Sequence, residues 1–72
     1  MEYKITMTWD AEARVWTAES DGALGLVLES PSYDTLVSRV CVAAPELMEL
    51  NGLPVAGAKL LFVSTRSELA GV

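Results

Sequence analysis

The chain predicts a single α+β domain in the order βββαβ, with an antiparallel three-stranded meander, one amphipathic helix and a final strand parallel to the first. Three observations predict it. Polar and apolar residues alternate from Glu2 to Trp9 and strand-type residues resume from Arg14. Apolar residues recur at three- and four-residue spacing between Leu36 and Met48. An apolar run, Lys59 to Thr65, follows a linker containing Pro54 and Gly57. Period two belongs to strands, and a period near 3.6 to a helix.

In the first strand Tyr3, Ile5, Met7 and Trp9 share one face and Lys4, Thr6 and Thr8 the other, which predicts one buried and one wetted side. Asp10-Ala11-Glu12-Ala13 has the length of a hairpin connection, and Arg14 to Glu19 returns with Val15, Trp16 and Thr17, residues suited to a pleated surface. Asp21-Gly22 marks a turn and Gly25 allows positive φ, so the chain reverses again into Leu26-Val27-Leu28. Of the two serines flanking Pro31, Ser32 is the favoured helix cap, with Asp34 near the positive end of the helix. Leu36, Val37, Val40, Cys41, Ala44, Leu47 and Met48 then fall on one side, leaving Asp34, Ser38 and Arg39 outside. Pro45 lacks an N–H and disfavours α geometry at Ala44, which predicts a break there before Asn51-Gly52 ends the helix. The last strand carries Leu60, Leu61, Phe62 and Val63, apolar on both faces. A right-handed crossover places it beside the first strand, giving the order 3-2-1-4. One helix covers one face, so the other presents Lys4, Thr6 and Thr8 near Val15, Thr17, Leu61 and Val63, a mixed surface.

Seventy-two residues make one domain, spanning 1–72, near the size where a core alone stabilises only marginally and a partner adds to burial. The hydrophobic fraction of 51% with 21% charged residues is that of a globular domain, not of a disordered tail. No run reaches the roughly 18 apolar residues of a spanning helix, and no signal-peptide core follows Glu2 and Lys4, so the expected compartment is the cytoplasm. Cys41 is the sole cysteine and forms no internal disulfide. A net charge of −5 with five Lys and Arg disfavours direct nucleic-acid binding and favours encounter with a basic protein.

Taken together, Tyr3-Lys4-Ile5-Thr6-Met7, Trp9-Asp10 to Trp16-Thr17-Ala18, Ser20-Asp21 with Gly25-Leu26-Val27 and the helix from Ser32 resemble the HicB-like antitoxin domain. The likeness is strongest to a small, poorly characterised branch whose helix ends in sequences like Pro45-Glu46-Leu47-Met48-Glu49-Leu50-Asn51-Gly52, and it covers roughly residues 2 to 66. The usual Asp-x-Pro-Gly turn stands here as Ala23-Leu24-Gly25 after Asp21-Gly22, without the proline. The resemblance implies a partial ribonuclease-H-like fold and a role in masking a small basic RNA-cleaving toxin of the HicA type. Six residues follow Arg66, too few for the DNA-binding segment many such antitoxins add.

No catalytic, metal or cofactor-binding residue is expected. A ribonuclease H needs converging carboxylates to hold Mg²⁺, whereas the centre of the first strand is Ile5, Thr6 and Met7. Asp10, Asp21, Glu29 and Asp34 read as turn or cap residues, and Cys41, with no His to activate it, as a buried hydrophobe. The candidate partner-binding residues are Trp9, Trp16, Glu19, Glu29, Glu46 and Glu49. The two tryptophans either pack across the sheet or anchor a partner; the glutamates either are solvated or face a basic protein. Two functions follow: a non-enzymatic module masking a small basic toxin, or a self-associating domain, homodimer or larger, with no toxin.

Overall fold

The computed structural model describes residues 1–71. Its elements are β1 (Glu2–Asp10), β2 (Val15–Ser20), β3 (Val27–Ser30), α1 (Tyr33–Leu50) and β4 (Lys59–Thr65). They form one mixed sheet in the order β3-β2-β1-β4, antiparallel except for the parallel β1–β4 pair. This is the predicted topology, with β4 bounded as the sequence indicates.

The hairpin between β1 and β2 is fixed by Asp10, whose Oδ1 accepts hydrogen bonds from the amides of Glu12 and Ala13. The Arg14 amide returns to the Asp10 carbonyl at 2.8 Å, with Arg14 in the left-handed region at φ 57°. That closure sets Trp9 opposite Trp16 and Met7 opposite Ala18. In the next connection Gly25 takes φ 66°, as a tight reversal requires, and the Leu26 amide donates to Ser20 Oγ at 2.8 Å. Leu24 and Leu26 are thereby turned into the core, although they lie in a connection.

Ser32 caps α1, its side chain accepting from the Thr35 amide, and Ser30 Oγ accepts from the Ser32 amide. The helix ends in a Schellman motif: Leu53 N–H bonds to the Met48 carbonyl, Gly52 N–H to that of Glu49, and Gly52 adopts φ 67°. Between these ends α1 is continuous, which corrects the expected break near Ala44. Pro45 removes the bond to one carbonyl, that of Cys41, on a residue exposed to water, while Ala44 and Met48 on either side are sealed in the core. Burial holds the helix through the proline.

The core consists of Ile5, Met7, Ala18, Leu24, Leu26, Leu36, Val40, Ala44 and Met48. Helix α1 packs mainly on β2 and β3. This offset corrects the second expectation, a buried Cys41: the thiol is exposed. Thr35, Ser38, Arg39, Val42, Ala43 and Glu46 line the β3 side of the helix, so Cys41, across the buried stripe, lies on the flank toward β1 and β4. There the helix has too little sheet beneath it to cover the sulfur. Correspondingly, Leu60 and Phe62 of β4 pack against the core but remain only half-buried.

Candidate functional site

Two surfaces follow from this architecture. The first is the sheet face opposite α1. Strand registers assemble it in rows: Val27, Glu19, Thr6 and Val63 form one, and Glu29, Thr17, Thr8 and Thr65 the next, with Lys4 beside Leu61. Thr17 Oγ1 donates to the Thr8 carbonyl across the middle strands. Val27 is 69% exposed, Leu61 46% and Val63 38%, so large apolar side chains stand open on this face together with Glu2, Glu19 and Glu29 and the lysines Lys4 and Lys59. Such mixed faces suit a protein partner better than a small molecule, because a flat surface cannot enclose one.

The second surface is an aromatic row at the end of the sheet near the start of α1. Trp9 and Trp16 face each other across the hairpin with ring centroids 5.6 Å apart. Trp16 meets Tyr33 edge-on at 4.9 Å, and the Tyr33 hydroxyl hydrogen-bonds Ser64 Oγ of β4. On the other side the Arg66 guanidinium lies 4.3 Å from the Trp9 ring centroid while pairing with Glu68 at 2.8 Å. Both tryptophans are half-buried on the helix side of the sheet, where they pack across the strands. The row joins β2, β1, the helix start and the chain after β4 where α1 itself no longer reaches. Aromatic pairs of this geometry contribute about 0.5–1.5 kcal/mol each beyond their burial.

A shallow groove of about 480 Å³ runs between α1 and the β3 edge, lined by Leu28, Arg39, Val42 and Glu46 among others. Arg39 Nη1 donates to the Glu29 carbonyl at 2.8 Å, bridging helix and strand. Among the described residues no three His, Cys, Asp or Glu side chains come together to hold a metal ion, and no helix is long and apolar enough to cross a membrane.

The six candidate residues therefore divide among three places. Glu19 and Glu29 share the open sheet face; Glu46 and Glu49 project from α1 on the opposite side; Trp9 and Trp16 belong to the aromatic row. They do not form one patch. Tyr33 and Val27 were missed by sequence reasoning. Strand parity finds Val27, since burial of Leu26 and half-burial of Leu28 turn the residue between them outward. Tyr33 sits at the first helical position after a Ser cap, and only the tertiary arrangement brings it to Trp16.

A family described as Domain of unknown function (DUF1902) matches residues 2–70. The chain belongs to this family. Among solved structures the DUF1902 domain is similar to the hypothetical protein TTHA1013 of the extremely thermophilic bacterium Thermus thermophilus. The two share 36% identity at a TM-score of 0.82, over 96% of this chain and 99% of the other. No curated protein matches it. The shared fold thus extends over nearly the whole DUF1902 domain.

Proposed function

We propose that this DUF1902 domain is a non-enzymatic, HicB-like binding module of the cytoplasm that masks a small basic RNA-cleaving protein of the HicA type by covering its surface. The observation that carries the reading is the uncovered sheet face, where Glu19 and Glu29 stand beside the exposed Val27 in a chain of net charge −5. Acids set beside an exposed apolar residue accelerate encounter with a basic partner and leave the apolar part to hold the complex. The βββαβ order is also the one the HicB-like resemblance implies.

The test is a titration of the domain against the small basic protein captured with it from its native lysate. Reversing both acids, Glu19→Lys with Glu29→Lys, is expected to weaken a stoichiometric complex by at least roughly tenfold, with reduced salt dependence. Glu46→Lys with Glu49→Lys, on the other side of the sheet, is expected to leave it unchanged. Capture of no basic protein overturns the masking function, and undiminished affinity after the Glu19 and Glu29 reversals overturns this face as its site.

A further inference from the structure

A four-stranded open sheet has two edges, and here they are built differently. β3 is four residues long, lies under α1 and has one of its carbonyls, that of Glu29, held by Arg39. β4 is seven residues long and has β1 as its sole neighbour, so the amide and carbonyl groups on its outer side have no ladder partner among the described residues. Its one charge, Lys59, stands at its first position, and neither charge nor proline interrupts Leu60-Leu61-Phe62-Val63-Ser64-Thr65. An apolar, uninterrupted edge of this length is a template for another strand.

We infer that β4 pairs edge to edge with β4 of a second copy of this chain, antiparallel about a two-fold axis at Phe62. The register follows from the strand itself: only an axis at Phe62 overlaps all seven residues. It opposes Leu61 to Val63, Leu60 to Ser64 and Lys59 to Thr65 of the other copy. Opposed residues then have the same parity, so their hydrogen-bonding groups point alike, as an antiparallel ladder requires. Leu61 and Val63, 46% and 38% exposed, cover each other on the open face.

Charge selects the copy over the alternatives. β1, β2 and β3 each carry an acid, Glu2 and Asp10, Glu19 and Glu29, whereas β4 carries none. Two chains of net charge −5 therefore meet along the one strand that brings no carboxylate against another, and a basic partner finds no acid there to favour it. Lys59 lies on the open face and Arg66 folds back to Trp9 on the other, so the basic ends do not confront each other either. The half-buried Leu60 and Phe62, left short of cover by the offset helix, gain neighbours from the second copy. This pairing stands whether or not a basic partner exists.

Light scattering and sedimentation of the full chain across a concentration series test it. The expected particle has twice the 7.7 kDa mass of one chain. Leu61→Lys with Val63→Lys, substitutions on exposed positions, is expected to shift dissociation to at least roughly tenfold higher concentration with an unchanged circular dichroism spectrum. In a Cys41→Ser background, Leu61→Cys with Val63→Cys is expected to link two chains under mild oxidation, a readout that holds if the lysine variant unfolds. A monomer at high micromolar concentration, an oligomer indifferent to the two lysines, or the absence of linked chains overturns the proposal. None of these outcomes depends on Glu19 and Glu29, so the masking function stands or falls separately.

Discussion

The β3 and β4 edges show how one helix divides a small sheet into a finished and an unfinished side. Over β2 and β3, α1 places Leu36 and Val40 in the core and reaches down with Arg39 to the Glu29 carbonyl. Over β1 and β4 the same helix presents Val37 and the exposed Cys41, and the strand beneath keeps Leu60 and Phe62 half-open. A chain of this size has one helix to spend on two halves of a sheet, so completeness on one side implies a deficit on the other. The unfinished half leaves a strand edge free for pairing, whereas Glu19, Glu29 and Val27 stand across the finished half, on the sheet face that α1 does not cover.

The sharpest way to break this contrast is to unseat the helix. Leu36→Ala removes a fully buried side chain and is expected to cost about 3 kcal/mol in chemical denaturation, a large share of the stability of a domain this small. Ser32→Ala removes the cap that starts the helix beside β3; a loss of about 1 kcal/mol is expected by the same measurement, without a change in the particle mass. Arg39→Ala opens the guarded edge and is expected to cost the least, about 0.5–1 kcal/mol. Its informative readout is again mass: with β3 only four residues long and Glu29 upon it, no new association should follow. Growth of larger particles in that variant would show that Arg39, not strand length, protects β3.

Much of this contrast was legible in the residues. Alternation in β1 fixed which side of the sheet is apolar, the Ser32 and Asn51-Gly52 signals bounded the helix, and the apolar run Leu60 to Val63 marked β4. What escaped were features set by distance between elements. Helical spacing put Cys41 in the apolar group, but spacing says nothing of how far a helix is displaced across a sheet, and that displacement exposes the thiol. Local preference at Pro45 pointed to a break, but the buried Ala44 and Met48 outweigh it. Leu24 reads as a turn residue and Leu26 as the start of the third strand, yet both lie in a connection that the Gly25 reversal folds inward. The site was less legible than the fold: the glutamates were found as residue types, but only registers show that Glu19 and Glu29 share a face while Glu46 and Glu49 do not.

The parallel pairing of β1 with β4 also imposes an order in time. Thr8 finds Thr17 across a short hairpin, but Glu2 must wait for Lys59, and Thr8 for Thr65, partners that the chain supplies only after the helix. Local hairpins close in microseconds, whereas contacts so distant along the chain carry a larger closure entropy and slow the reaction. The meander and helix are therefore expected to assemble first and β4 to dock last, leaving the other edge of β1 bare in the interval. A strand from a neighbouring nascent chain can enter that gap, so concentration during synthesis bears on whether the sheet is completed from within or by exchange.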